Sequence, residues 1–100
     1  MLKIGRIVGL PLKLFAKNQI YIPKEYLSYY GISSSYEKLS LKISKNSLFL
    51  SKAIESDTNL LPIRNGLTRI PAAWANKHEL CKGKYVFILG TSTGLLIYTK

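Results

Sequence analysis

The sequence predicts a mainly β fold with two short helices, an α+β arrangement built from two diverged copies of one unit. Three observations predict it: short runs of alternating hydrophobic residues, polar turns between them, and two strand–proline–helix segments 48 residues apart. We expect residues 1–100 to form a single compact domain. Repeat one covers about 10–52, the linker covers 53–59, and repeat two covers about 60–100.

Each copy contains an alternating strand that ends at a proline. Ile20-Tyr21-Ile22 precedes Pro23, and Thr68-Arg69-Ile70 precedes Pro71. A proline cannot donate to a β ladder, but it suits the first turn of a helix. We therefore expect a helix of seven or eight residues after each proline. Its buried stripe recurs at i, i+1 and i+4, as Tyr26, Leu27 and Tyr30 in copy one and Trp74, Ala75 and His78 in copy two.

A β-hairpin is predicted after each helix. In copy one, the turn Ser33–Lys38 leads to strands at Leu39–Ile43 and Leu48–Leu50. In copy two, the turn Cys81–Lys84 leads to strands at Tyr85–Leu89 and Leu95–Tyr98. The second hairpin lacks polar alternation, so we expect it to be covered on both faces.

A further strand is predicted before each strand–proline segment. Asn65-Gly66 is a strong two-residue hairpin signal that joins Leu61–Arg64 to the following strand. Lys17-Asn18 is expected to play this role in copy one, after a strand at Lys13–Ala16. Residues 1–9 lie outside the repeat and are expected to add an edge strand or an arm.

This order of elements resembles the SpoVT/AbrB family of swapped-hairpin DNA-binding proteins. Copy one carries the resemblance in Asn18–Glu25 and Gly31-Ile32, and copy two in Asn65-Gly66, Ile70-Pro71 and Lys82-Gly83. In that family two units interlock their hairpins and present paired basic loops to DNA. The resemblance therefore implies a β-barrel that is an intrachain pseudo-dimer, and half-length units are too small to be stable alone. A related double-psi β-barrel is the alternative.

The chain departs from the family pattern at positions that matter for DNA contact. The family places an arginine just after the glycine of the first hairpin turn, where this chain has Gln19 and Leu67. The arginine pair often found in the family's helix is also absent. The DNA contacts of the family therefore do not transfer to these positions.

Charge points to a polyanionic partner. The 15 Lys and Arg residues outnumber the five Asp and Glu residues, which gives a net charge of +10, and the excess is present in both halves. Such a surface concentrates nucleic acid at low salt. From the alternation of side chains, we expect a DNA-binding patch made of Lys13, Lys17, Gln19, Tyr21, Lys24, Arg64, Asn65 and Arg69. The alternative is that the arginines are ordinary solvated residues that protect an edge strand.

Other function classes are disfavoured by the residue inventory. One histidine, one cysteine and five carboxylates provide no nucleophile–base pair and no metal site, so no enzyme activity, metal or cofactor is expected. His78 is interpreted as a satisfied or half-exposed helix residue, and Cys81 as a small buried filler. Gly90–Gly94 is interpreted as a hairpin turn and not as a phosphate loop, because it lacks the lysine and the following helix.

The sequence thus favours a transcription regulator that binds double-stranded DNA, with no small-molecule substrate. A further homodimer of the pseudo-dimeric chain is possible in this interpretation. The lone cysteine and the absence of a membrane-spanning stretch favour a cytoplasmic, nucleoid-associated protein, and the Lys-, Ile- and Tyr-rich usage favours an archaeal or viral source. An antitoxin-type protein-binding module is the alternative, although only two residues follow Tyr98 where a toxin-binding tail is expected. A purely structural barrel is the third interpretation.

Overall fold

The computed structural model describes residues 9–54, 56 and 58–99. These residues form eight β-strands and two α-helices, which confirms the predicted mainly β fold with two short helices. In chain order the elements are β1 (Leu10–Lys13), β2 (Gln19–Tyr21), α1 (Lys24–Tyr29), β3 (Tyr36–Ile43), β4 (Ser47–Lys52), β5 (Leu60–Arg64), β6 (Leu67–Arg69), α2 (Ala72–Lys77), β7 (Tyr85–Gly90) and β8 (Leu95–Tyr98).

The strands join one antiparallel sheet in the order β1-β7-β8-β4-β3-β5-β6-β2. The two end strands, β1 and β2, are consecutive in the chain and converge at the 3-10 turn Ala16–Asn18. There the Phe15 N–H donates to the Gln19 carbonyl at 2.8 Å. The sheet therefore curls into a nearly closed barrel.

The two halves of the chain have the same element order and exchange their first strands. β1 of the first half pairs with β7 of the second, and β5 of the second half pairs with β3 of the first. β2 pairs with β6 and β4 pairs with β8, and in these two pairs equivalent residues face each other: Ile20 lies opposite Thr68, and Phe49 lies opposite Leu96. An approximate two-fold axis through both pairs relates the halves.

The core lies inside the barrel and is built from the inward residues of the alternating strands. Ile20 and Ile22 are fully buried, and Thr68 and Ile70 nearly so, as the alternation predicts. Each buried Ile or Leu contributes about 1.5–3 kcal/mol to folding. The Thr68 hydroxyl, a buried polar group, donates to the Pro62 carbonyl at 2.8 Å and links β6 to β5.

The two helices are short and lean on the sheet. Pro23 and Pro71 immediately precede them with φ of −56° and −54°, and each helix has six residues, shorter than the predicted seven or eight. Leu27, Trp74 and Ala75 are buried and Tyr26, Tyr30 and His78 half-buried, as predicted for the helical stripes. A helix of this length requires such packing because it does not persist alone in water.

The predicted turns are found where the sequence placed them. Lys17 and Asn18 have φ of 62° and 59°, and Asn65 and Gly66 have φ of 51° and 81°, which is the geometry of a two-residue turn with both φ values positive. The Gly90–Gly94 segment is a hairpin turn, closed by the Thr91 N–H donating to the Gly94 carbonyl at 2.8 Å.

Two strand boundaries differ from the prediction. β1 lies at Leu10–Lys13, three residues before the predicted Lys13–Ala16, because its register is set by β7 of the other half. β3 begins at Tyr36 instead of Leu39, because Tyr36–Lys38 pair with Pro62–Arg64 of β5. Both strands are positioned by partners distant in the chain, which local patterns do not reveal.

Two burial predictions were wrong. Cys81 is exposed, because it lies in the loop between α2 and β7 and not under the sheet. The outward residues of the second hairpin are half-buried and not covered, and Tyr85 is exposed. Residues 1–8, which include most of the predicted N-terminal arm, lie outside the described residues.

Candidate nucleic-acid interface

A row of four exposed side chains crosses the outer face of four neighbouring strands. Tyr21 on β2 lies opposite Leu67 on β6, Leu67 lies opposite Arg64 on β5, and Arg64 lies opposite Tyr36 on β3. All four residues are exposed. The row combines two aromatic rings, one guanidinium and one aliphatic side chain on the outer face of the sheet.

The arginine of this row is stacked on an aromatic ring. The Arg64 Cζ lies 4.8 Å from the centroid of the Tyr36 ring. An exposed cation–π contact of this kind is worth about 0.5–1 kcal/mol, enough to restrict the guanidinium without neutralising its charge. Arg64 therefore keeps its donors available for a ligand while its orientation is restricted.

A second row runs beside the first. Gln19 on β2 lies directly opposite Arg69 on β6, two residues along each strand from Tyr21 and Leu67. Side chains two residues apart on a strand share one face, so both rows point outward. The face carries an amide and a second guanidinium next to the Tyr21–Leu67 pair.

The two turns at the ends of these strands are fixed by the opposite halves. The Ile22 N–H donates to the Gly66 carbonyl at 2.8 Å, and the Ile70 N–H donates to the Asn18 carbonyl at 2.9 Å. These two hydrogen bonds are equivalent under the approximate two-fold axis. Each turn is therefore tied to the strand end of the other half, and neither turn is folded into the core.

Gly66 is required by the packing at this position. Its φ is positive, and an added Cβ would lie 2.6 Å from Cε1 of Tyr21. The Tyr21 ring therefore rests directly on the Gly66 backbone. This contact keeps the ring against the surface while nearly half of the residue, 48%, remains exposed.

A groove of about 1020 Å³ runs along this face, between β5 and β6 and toward the start of α2. Four of the predicted DNA-binding residues line it: Lys17, Gln19, Arg64 and Arg69. Among the described residues that line it, none is acidic. Nearby Glu37 on β3 is half-buried, and its Oε1 accepts the Ser33 N–H at 2.7 Å, so this carboxylate is engaged in its own loop.

The other four predicted residues occupy different places. Tyr21 and Asn65 adjoin the groove, Tyr21 through Leu67 and Asn65 through the turn between Arg64 and Leu67. Lys13 and Lys24 are exposed but do not line the groove. Lys13 lies opposite Tyr85 on β7, and Lys24 is the first residue of α1.

The sequence interpretation missed two residues of this face. Tyr36 was placed in a turn, and its pairing with Arg64 follows from a β3–β5 register that joins the two halves. Asn18 was placed in a turn but not in the site, although its side chain lines the same groove. The residue type is the signal in the sequence that could have indicated it, because Asn readily adopts the positive φ that Asn18 has in this turn.

The described part of the chain shows no group of three or more His, Cys, Asp and Glu side chains placed to hold a metal ion. Within the same residues no helix is long and apolar enough to cross a membrane. His78, the only histidine of the chain, has its Nε2 2.8 Å from the Lys45 carbonyl, so it has a structural partner as predicted.

Comparison of the chain with protein-family models, with curated proteins and with solved structures finds no match.

Proposed function

We propose that this protein binds double-stranded DNA through the outer face of β2, β6 and β5 and acts as a transcription regulator. The observation that carries the proposal is the position of Arg64 and Arg69. Both are exposed on one face, both line a groove whose described lining residues include no carboxylate, and both stand next to amide or aromatic side chains. Such a combination suits phosphate contacts together with contacts to base edges.

The exchange of first strands supports an AbrB-like swapped-hairpin architecture. Each half supplies a strand to the hairpin of the other, and the two leading turns lie at the ends of the central β2–β6 pair. This connectivity supports the interlocked hairpins that the family resemblance implies. We extend the resemblance to the DNA-binding role but not to individual family contacts, since Gln19 and Leu67 stand where the family has arginine.

The chemistry of the face suggests different tasks for its side chains. The planar guanidinium groups of Arg64 and Arg69 can form paired hydrogen bonds to phosphates or to guanine edges. The amides of Gln19 and Asn65 can pair with adenine edges, and Lys17 supplies a point charge to a phosphate. Tyr21 offers a ring that can pack against a deoxyribose.

The two halves contribute unequally to this face. Phe15 and Arg64 are equivalent positions next to the two turns, as are Tyr21 and Arg69 on the paired strands. The second half therefore provides both arginines, and the first half provides aromatic side chains. We expect an asymmetric target in which one half-site depends on cationic contacts more strongly than the other, and sequence-dependent bending contributes further selectivity.

A salt series tests the proposal directly. Binding of the full chain to a fluorescein-labelled 30-base-pair duplex is measured by anisotropy between 50 and 300 mM KCl. The logarithm of the association constant should fall linearly with the logarithm of salt concentration, at about −0.9 per neutralised phosphate, with a total slope of several units. Absence of binding at 50 mM KCl, or a flat salt response, contradicts the proposal.

A protein-binding module of the antitoxin type is a second candidate, favoured by the apolar part of the same groove. Ile43, Leu60 and Leu67 are exposed and line it. Exposed apolar side chains in a groove can bind a partner segment. If the protein has this function, substitutions of the apolar groove residues should weaken binding of a protein partner more than substitutions of the arginines do. The affinity for that partner should depend little on salt concentration.

A further inference from the structure

A second, smaller pocket lies away from the arginine face. It has a volume of about 510 Å³ and lies between α1 and the turn that joins β7 to β8. Its side chains come from one face of α1, and its floor comes from the turn: Glu25, Tyr26, Tyr29, Tyr30, Gly90, Thr91 and Ser92 line it. It shares no lining residue with the groove described above.

The tyrosine rings form walls with different orientations. The rings of Tyr29 and Tyr30 meet edge to face, with centroids 5.0 Å apart and planes inclined at 83°. The Tyr30 hydroxyl donates to the Thr91 carbonyl, which fixes this ring against the turn. Tyr26 is half-buried against the core, whereas Tyr29 is 78% exposed.

The equivalent place, between α2 and the turn that joins β3 to β4, has different contacts. Trp74 and His78 stand where the first half has Tyr26 and Tyr30, and their rings lie 4.5 Å apart. The Trp74 Nε1 donates to the Ser44 carbonyl at 3.1 Å, and the His78 Nε2 lies 2.8 Å from the Lys45 carbonyl. These contacts hold α2 against the turn that joins β3 to β4. The contacts beside α1 are different, so the repeated architecture by itself does not account for the pocket.

The residues that differ between the halves open the pocket and change its charge. Gly90 occupies the position equivalent to Ile43, and a Cβ added at Gly90 would lie 3.0 Å from the Tyr30 hydroxyl. Glu25 replaces Ala73, and Tyr29 replaces Lys77. The place beside α1 therefore has an acidic, aromatic pocket, whereas the equivalent place beside α2 has a tryptophan–histidine pair and a lysine.

We propose that this pocket binds a small alkylammonium cation. The faces of tyrosine rings attract cations, and a carboxylate at the rim adds a favourable charge. The chain has 15 Lys and Arg residues, but among the described residues none of them lines this pocket. Aromatic faces with a single carboxylate suit the apolar surface of an alkylammonium better than a compact metal ion, which requires several oxygen ligands.

The test uses two isosteric probes, choline and the uncharged 3,3-dimethylbutan-1-ol. Each is titrated into the full-length protein at constant ionic strength, and amide and aromatic chemical shifts are followed by NMR. We expect saturable shifts for choline, confined to residues 25–30 and 90–92, and binding of the alcohol at least fivefold weaker. Equal affinity for both probes, or shifts scattered over the surface, overturns the proposal.

Variants connect the binding to the named residues. Tyr29→Leu and Glu25→Gln should each lower the affinity for choline about two- to fivefold, and Tyr29→Phe should keep it. Glu79→Gln is the matched control, since it removes one exposed carboxylate that does not line the pocket. An effect of Glu79→Gln equal to that of Glu25→Gln would show a general charge effect and would overturn the proposal.

Gly90→Ala offers a second route that does not alter charge. The added methyl group contacts the Tyr30 hydroxyl and should reduce choline binding, while the unperturbed parts of the NMR spectrum report an intact fold.

A lysine side chain from a second copy of the chain is an alternative occupant of the pocket. Sedimentation of the protein with and without choline distinguishes this occupant from a free ligand. If Tyr29→Leu dissociates a dimer and no free ammonium ion binds, the small-ligand proposal is wrong. Salt-dependent DNA binding is unaffected by either outcome, so the two proposals fail separately.

Discussion

Ile20 and Thr68 lie opposite each other in the β2–β6 pair, and each stands three residues before the proline of its own half. Their pairing marks the approximate two-fold axis that relates the two halves. The first strand of each half is hydrogen-bonded to the third strand of the other. Neither half therefore completes its own sheet.

This exchange predicts the behaviour of a chain cleaved between its halves. With a protease site inserted in the 53–59 linker, the nicked protein should keep its circular dichroism spectrum and elute from gel filtration as one species. Each half expressed alone should not fold as a monomer, because it lacks a pairing strand and half of the core. A half that folds stably as a monomer in sedimentation would contradict the interlocked arrangement, whereas a half that folds only as a homodimer would agree with it.

The arginine pair should control DNA affinity without controlling stability. Replacing both Arg64 and Arg69 with alanine should lower affinity about tenfold or more and make the salt slope shallower by about two units. Both side chains are exposed, so the melting temperature should change little. Anisotropy and thermal melting measure the two effects.

The matched control for the arginine pair is Lys77→Ala with Lys82→Ala. It removes the same charge from exposed residues that do not line the groove. It should lower affinity much less than the arginine pair. If the control variant loses as much affinity, binding depends on overall charge and the proposed face is wrong.

Gly66 should tolerate a methyl group poorly. Gly66→Ala combines a positive φ of 81° with a contact of 2.6 Å to the Tyr21 ring, so the ring must move. We expect a loss of about 2 kcal/mol or more in the free energy of unfolding.

Gly83→Ala separates the effect of the positive φ from the effect of the Tyr21 contact, since Gly83 has φ of 92° but no atom within 4 Å of the added Cβ. Gly83→Ala should cost about 1 kcal/mol in urea unfolding; an equal loss in both variants would rule out a role for the Tyr21 contact.

Tyr30 should make stability depend on alkaline pH. Burial, together with neighbouring Tyr29, raises the pKa of Tyr30 above its ordinary value of 10.0. The folded state therefore holds this proton more tightly than the unfolded chain. The stabilisation is complete below about pH 10 and is lost as the pH rises through the folded-state pKa, because only the unfolded chain releases the proton freely there.

Urea unfolding between pH 8 and pH 11 tests the Tyr30 effect by comparison with Tyr30→Phe. The difference in unfolding free energy between the two proteins should be constant below pH 9 and should shrink above pH 10. Tyr85→Phe, which removes the hydroxyl of an exposed tyrosine on β7, serves as the control. Parallel curves for wild type and Tyr30→Phe across the whole range would contradict the assignment.

Features set by neighbouring residues were predictable from the sequence. Pro23 and Pro71 mark the starts of the helices because a proline ends a ladder, and Asn65-Gly66 marks a turn because both residues adopt positive φ readily. Alternation also placed Ile20 and Thr68 inside and Tyr21 and Arg69 outside. Each of these features depends on the conformational preferences of a few adjacent residues.

Features that join distant parts of the chain required the tertiary structure. The starts of β1 and β3 and the stacking of Arg64 on Tyr36 all depend on which strand of the other half lies alongside. The pocket beside Tyr30 likewise depends on Gly90, 60 residues away, approaching α1. The sequence by itself determined the local elements, which short-range sterics and periodicity specify. Only the tertiary structure decided their register, because packing of the whole barrel selects one pairing among several that the local patterns allow.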